Sequence, residues 1–592
     1  MPDRQVAARP YALFAACGLA LAAASASRGQ SDPLSEPFPA VLEYTDIDGT
    51  IGFRIDGDVY EEFSGRNVAS VGDVNGDGIG DVVFSSHIVP GDSYVLFGRD
   101  AAAGAVFPEI LTLSDLDGTN GFHIPGTGAD SATYSVSGAG DVNGDGLADV
   151  IIGAWVANPG GRIDAGAGYI VFGRDSGFPP TVRLADLDGS SGFRMEGVAR
   201  GDHAGFRVAS AGDLNGDGVD DAMIGAWKAD PGGRTDAGSI YVVFGRDGGS
   251  TFPASLPLAD LDGTNGFRID GIEPGHEIAR SFAPAGDVNG DRLDDVIVGV
   301  AATSPGDRRS AGASYVLFGR GPASGGAFPA VLSLADIDGT IGFRIDGVAA
   351  FDWSGGDVGS AGDVNGDGVG DLIIAAKGAD PGGVSLAGSG YVVFGRGDGD
   401  AFPPTLQLAD LDGDTGFRLD GFGSQDFIGE DVASAGDING DGLDDIIIGA
   451  AYYGRMTFVV YGQSSTSGGF PAVVRLADID GTNGFLIDET ARDFASAGDV
   501  NGDGLDDIII GAPYSDPGGV EDAGSTFILY GRRPASTCPP DLDGDGTLTI
   551  FDFLEFGNLF DLMDPRADFD GDGDFTIFDF LAFQNAFDAG CP

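Results

Sequence analysis

The sequence predicts an all-β fold, a seven-bladed β-propeller over residues 38–533, followed by a small α-helical module over 534–592. Three observations predict it. A nine-residue acidic loop, Asp-x-Asn-Gly-Asp-Gly-x-x-Asp with one departure, recurs seven times at spacings of 68, 72, 74, 76, 74 and 62 residues. Each copy runs straight into a short apolar strand. Between 38 and 533 the apolar runs are β-branched or aromatic, bounded by Gly, Pro and Asp, with no helical period. Four strands per unit and seven units in series describe one repeat ring rather than several globular domains.

The elements follow in order. Residues 1–30 read as a secretory signal peptide: Arg4 and Arg9, an apolar run from Tyr11 to Ala24, and a small-residue cleavage stretch. The run is too short to span a bilayer comfortably. Residues 31–37 are a linker. The third unit illustrates the rest. A strand-like lead-in at 206–212 enters the loop Asp213 to Asp221, and a strand follows at 222–227. A Pro-Gly-Gly turn at 231–233 leads to a strand at 239–245, and 258–271 close the unit.

A second acidic element, Asp-x-Asp-Gly-x-x-Gly-Phe, starts at Asp46, Asp115, Asp186, Asp260, Asp336, Asp410 and Asp478. It lacks a third carboxylate and reads as a hairpin turn. Its first copy precedes the first loop, and none follows the last unit. The segment near 52–57 is therefore predicted to supply the outer strand of the last blade, which removes both open sheet edges.

The loops carry the chemistry. Positions 1, 3, 5, 7 and 9 are Asp73, Asn75, Asp77, Ile79 and Asp81; Asp141, Asn143, Asp145, Leu147 and Asp149; Asp213, Asn215, Asp217, Val219 and Asp221; Asp287, Asn289, Asp291, Leu293 and Asp295; Asp363, Asn365, Asp367, Val369 and Asp371; Asp437, Asn439, Asp441, Leu443 and Asp445; Asp499, Asn501, Asp503, Leu505 and Asp507. Oxygen donors at this spacing suit calcium, a hard cation that takes six to eight oxygens. The aliphatic position 7 offers only its carbonyl, and its side chain is expected in the core. Glycine at position 6 permits the left-handed turn. Arg292 replaces it in the fourth loop, at a cost of about 1 kcal/mol, so that site is expected to be the weakest.

These residues resemble the FG-GAP repeats of the integrin α-subunit propeller and its bacterial relatives. The likeness rests on the lead-in Phe/Gly positions, the acidic loop and Gly-Ala-Pro at 511–513, and it covers roughly 38–533. Most copies depart from Gly-Ala-Pro; residues 153–155 and 225–227 read Gly-Ala-Trp. The resemblance implies a calcium-binding recognition propeller.

Beyond it, Asp541, Asp543, Asp545, Thr547 and Asp552 form a twelve-residue loop, repeated 27 residues later by Asp568, Asp570, Asp572, Asp574 and Asp579. Each loop runs into an amphipathic stretch, 551–560 and 578–587. This pair is similar to a dockerin, which implies two further calcium ions and a cohesin-like partner. Cys538 and Cys591 bracket the module and imply a disulfide in an exported chain. Closing a loop of about fifty residues contributes about 4 kcal/mol in the chain-entropy model.

Net charge is −61, from 92 acidic and 31 basic residues, which disfavours nucleic acid and anionic lipid as partners. A hydrophobic content of 42% argues against disorder. No serine-hydrolase elbow, zinc helix or phosphate loop occurs. Arg-Gly-Asp occurs at 200–202 and 396–398; composition alone predicts about 0.7 such tripeptides, so adhesion is not argued from them. The leading expectation is a secreted or cell-surface protein that is not an enzyme. It would serve recognition, adhesion or scaffolding toward an extracellular or envelope protein or glycan. A propeller-based hydrolase or lyase acting on an extracellular glycan is the alternative, and a purely structural envelope component is a third reading. Perturbed carboxylates at the central channel would favour the enzyme.

Overall fold

The computed structural model describes residues 37–533, apart from 87–90, 102–103, 127–134, 249–250, 322–326, 398–400, 451–455, 465–467 and 489–490, and scattered positions beyond 533. The signal peptide lies outside the described residues. So do Cys538, Cys591 and the C-terminal loop residues Asp541, Asp543, Asp545, Thr547, Asp552, Asp568, Asp570, Asp572, Asp574 and Asp579.

Seven sheets form the blades of a β-propeller. The third blade runs outward from Ala204–Gly212 through Asp221–Ala226 and Ser239–Val243 to Gly266–Asp270, all antiparallel. Its Asp221–Ala226 strand is fully buried because both faces meet neighbouring blades. The innermost strands stand side by side round a central channel. Asp493–Gly498 lies beside Val68–Gly72 and closes the circle.

Ring closure follows the sequence expectation. Gly52–Asp56 pairs antiparallel with Ser525–Leu529 as the fourth strand of the last blade. The blades are wider than expected, however. Six of the seven sheets have five strands, because the following linker adds a short parallel strand, as Val331–Ser333 does to Gly266–Asp270. The N-terminal segment thus serves two blades. Val41–Leu42 pairs with Gly484–Ile487 of the sixth, while Gly52–Asp56 completes the seventh.

A repeated aromatic rivet holds these linkers down. The Phe of each Gly-Phe pair stacks on the Phe of a Phe-Pro pair: Phe53 on Phe107 at 4.1 Å, Phe193 on Phe252 at 4.2 Å, Phe267 on Phe328 at 4.3 Å. An arginine from the next blade covers the stack, as Arg99 covers Phe107 and Arg246 covers Phe252, both at 4.5 Å. The second acidic elements are turns, as expected; Asp188 Oδ1 accepts the Ser190 amide at 2.9 Å.

Beyond 533 the described residues form a small apolar group of Phe556, Leu559, Ala567 and Phe583. Five consecutive residues, 580–584, are helical, with shorter helical stretches at 553–560. A paired helical module is not seen among the described residues.

Candidate functional site

Two places carry polar groups that the fold itself does not use up: the loops at one end of the channel, and the opposite mouth.

All seven loops share one conformation. In the first, Asp73 Oδ1 accepts the amides of Gly76 at 2.6 Å and Asp77 at 3.2 Å, and Oδ2 accepts that of Gly78 at 2.8 Å. Asp77 Oδ1 accepts the Ile79 amide at 3.0 Å. The chain thus wraps round its own first carboxylate. Position 6 is left-handed throughout, and Arg292 keeps that conformation at φ +70°. Its amide bonds Asp287 Oδ2 as the glycine amides bond their own first Asp.

The ninth residue is the buried one. Asp81 is fully covered and accepts amides from Val74 at 2.9 Å and Gly98 at 2.8 Å. Burial, reinforced by the Asp77 and Asp73 carboxylates, pushes it up to about 8. Asp149, Asp221, Asp295, Asp371, Asp445 and Asp507 are raised well above the ordinary range for the same reasons. A buried carboxylate beside two others requires a proton or a cation. The donors are all oxygen, so the set fits a hard divalent cation. Among the described residues, no three Asp, Glu, His or Cys side chains yet converge as a ligand group. The first Asp of each loop faces loop amides instead.

The side chain at position 7 departs from expectation. Val219 and Leu505 are buried, but Ile79, Leu147, Leu293, Val369 and Leu443 are half-exposed at the seam between blades. There Ile79, Leu147, Leu293 and Leu443 pack on the preceding loop's fourth residue, as Leu147 packs on Gly76. Position 2 fills the core instead: Val74, Val142, Leu214, Val288, Val364, Ile438 and Val500 are all fully buried.

The opposite mouth opens into a cavity of 470 Å³ inside the ring of inner strands. Six residues before each loop, one side chain per blade faces it or flanks it: Asn67, Ser135, Arg207, Ser281, Asp357, Asp431 and Asp493. Three of these clamp the next blade by accepting its amide. Ser135 takes Val208 at 3.1 Å, Asp357 takes Val432 at 3.2 Å, and Asp493 takes Val68 at 2.9 Å. Arg207 reaches over the fourth blade to Asp357 at 2.9 Å. Asp431 breaks the pattern, since among the described residues no hydrogen bond stands among the main causes of its shift. Burial, then the neighbouring Asp357 and Asp493 carboxylates, pushes it well above the ordinary carboxylate range, with Arg492 opposing. Burial also raises Asp493, against the bonds from Val68 and Asn67.

Beside the mouth stands an aromatic wall. Phe206 lines the cavity and lies 5.2 Å from Trp227. Arg280 and Lys228 lie over the Trp227 ring at 4.1 and 4.2 Å, and Trp155 meets His203 at 5.0 Å. Sequence reasoning pointed to the central channel but named none of these residues. Aligning the seven copies six residues upstream of the loops would have found its charges.

Residues 429–469 and 493–529 match the FG-GAP repeat family. The two matched stretches lie in the sixth and seventh blades. Human phosphatidylinositol-glycan-specific phospholipase D is 31% identical over 175 residues, covering 29% of this chain and 19% of that protein. The mouse protein of the same name is 37% identical over 112 residues, covering 18% and 12%. Human integrin alpha-6 is 31% identical over 145 residues, covering 24% and 12%. The chain thus spans at most 19% of the length of these relatives. The integrin-like propeller expected from the loops stands. The expectation that the chain is not an enzyme is corrected: relatives that match part of it are named as a phospholipase D. Among the described residues, no helix is long and apolar enough to cross a membrane.

Proposed function

We propose that the chain is an extracellular, calcium-stabilised propeller that recognises its ligand at the channel mouth. One observation carries this reading: the loop end repeats in every blade, whereas the mouth carries Asn, Ser, Arg, Ser, Asp, Asp and Asp in turn. Repetition serves the scaffold, and a surface that differs in every blade presents one asymmetric pattern to a ligand. Arg207, Asp357 and Asp493 would orient polar groups, and the Phe206–Trp227 wall would take an apolar face. Calcium would be held by the loop carboxylates at positions 1, 5 and 9, the position 3 amide oxygen and the position 7 carbonyl. Bound there, it supplies charge compensation for the buried ninth Asp. An extracellular or envelope protein or glycan is the partner this reading takes, with the tail as a dockerin-like tether for a cohesin-like partner.

The test is binding of the calcium-loaded full chain to an array of extracellular glycans and to envelope extracts. Arg207→Ala and Asp493→Ala should each weaken capture at least tenfold, as should chelation. Capture indifferent to both substitutions overturns the reading.

Asp431, set between the Asp357 and Asp493 carboxylates, favours a second reading, a hydrolase working at the same mouth. A carboxyl held protonated beside an ionised neighbour is the pairing that acid–base hydrolysis uses. The relatives named phospholipase D support it. Asp431→Asn should then abolish product release from a glycan substrate while leaving capture intact; unchanged release sinks this second reading.

A further inference from the structure

The eighth loop residue, outside the ligand positions, is Gly80, Ala148, Asp220, Asp294, Gly370, Asp444 and Asp506 in turn. Its backbone joins neighbouring loops. The Gly80 amide donates to the Asp499 carbonyl at 3.1 Å, Ala148 to Asp73 at 3.0 Å, and Gly370 to Asp287 at 3.2 Å. Where the residue is Asp, its side chain makes a link as well. Asp220 Oδ2 accepts the Asp141 amide at 2.8 Å and Asp294 Oδ2 that of Asp213 at 2.8 Å. Asp444 takes Asp363 at 2.7 Å, and Asp506 takes Asp437 at 3.0 Å. Asp141 and Asp363 are thereby clamped at both N–H and C=O, since the Asp220 and Asp444 amides donate back to their carbonyls at 3.2 and 3.3 Å.

The glycine before each loop makes room for this. A Cβ at Gly140, Gly212, Gly362 or Gly436 would overlap the carboxylate of Asp220, Asp294, Asp444 or Asp506. At the seams without a carboxylate link the corresponding glycines are less crowded, Gly72 meeting only Ala148 Cβ at 3.0 Å. Gly286 would meet only Ser360 Oγ at 4.0 Å, and Gly498 only Ser70 Oγ at 3.6 Å.

We infer that the loops take up cations as two linked arcs rather than as seven independent sites. Loops 2–4 form one arc and loops 5–7 the other; loop 1 meets its neighbours through backbone bonds alone. Asp220, Asp294, Asp444 and Asp506 are positioning residues. Each fixes the peptide that carries the neighbouring loop's first ligand, so a filled loop pre-orders the next. Ordering done by one ligand is not repeated by the second, and the coupling is reciprocal. This inference rests on the cation reading of the loops.

Calcium titration of the full chain, followed by calorimetry and by melting temperature, tests it. Asp73→Ala should remove one equivalent and leave the others unchanged. Asp213→Ala, in the middle of an arc, should remove one and weaken two more by about tenfold, which is about 1.4 kcal/mol each. Asp220→Ala removes a link without removing a ligand, so it should lower affinity severalfold while the count stays the same. Asp220→Asn, which keeps an acceptor oxygen, should restore part of the loss. Equal effects of Asp73→Ala and Asp213→Ala, or an Asp220→Ala titration like wild type, overturn the coupling. A wild-type chain that takes up no calcium overturns the cation reading as well.

Discussion

The two ends of this ring are built from the same seven strands and obey different rules. At the loop end every blade does the same thing: the first Asp gathers loop amides, and the ninth is buried against the third strand. At the mouth, some six residues upstream on those same inner strands, the blades diverge. Asp357 and Asp493 clamp their neighbours, Arg207 spans a blade, and Asp431 is left facing two carboxylates. The difference teaches where the energy of the fold and the individuality of the protein each reside. Damage at the loop end should lower stability. Changes at the mouth should alter binding at little cost in stability.

The largest effect comes from breaking the ring, which both ends need. Deleting residues 38–57 removes Phe38 from its stack on Phe485, the Val41–Leu42 strand from the sixth blade and the Gly52–Asp56 strand from the seventh. Phe38, Leu42, Phe53 and Ile55 are all buried. At about 1.5–3 kcal/mol each, their loss exceeds about 6 kcal/mol. Thermal melting followed by circular dichroism should show loss of the cooperative transition or a large fall in its midpoint. A truncated chain that melts like the full one would falsify the two-blade role of this segment.

One step smaller, Phe267→Ala empties a fully buried stack against Phe328. It should cost about 3–5 kcal/mol in chemical denaturation, as large-to-small changes at buried aromatic positions do. By contrast Arg207→Ala at the mouth, a half-exposed pair with Asp357, should cost about 1 kcal/mol or less. If the order of these two is reversed, the division between the ends is wrong.

The loop end was legible because its constraint is local. Nine consecutive residues specify the turn, and seven copies repeat the message. Closure was legible because one acidic element was left over at the N-terminus. The fifth strands were not, because pairs such as Val331–Ser333 are short and gain their place only from the neighbouring edge. The stacks of Phe267 on Phe328 join residues far apart in the chain, so no local pattern announces them. The position 7 side chains were misplaced for the same reason, since a seam between blades exists only in the assembled ring. Asp431 was invisible because its character comes from Asp357 and Asp493, which lie in the two flanking blades.

That reading of Asp431 can be sharpened by pH. A carboxyl whose folded value lies above its ordinary 3.8 destabilises the fold once it must ionise, and has no such effect while both states hold the proton. Asp431→Asn should therefore raise stability at neutral pH. The gain should fade as the pH drops toward the ordinary value, where wild type and variant should melt alike. A constant gain at all pH values would point to packing rather than charge.

The smallest effect concerns the one gap in the repeated rivet. Six blades place an arginine over the stacked pair, from Arg99 on Phe107 to Arg532 on Phe38 at 4.6 Å. The sixth blade has Gln463 in the same Gly-Arg position, after Gly462. There Phe417 and Phe470 stack at 4.0 Å, with no guanidinium recorded over them among the described residues. Gln463, Phe470 and Asp414 line a cavity of 190 Å³ at this spot. Gln463→Arg should extend a planar cation into that space, lie over Phe470 and come near the Asp414 carboxylate. A half-exposed cation–π contact contributes about 0.5–1 kcal/mol, so a rise of that size in denaturant unfolding is expected. The same substitution should leave ligand capture at the distant mouth unchanged. A loss of stability would mean that the sixth blade has repacked round glutamine, and that the loop end is less uniform than its sequence repeat.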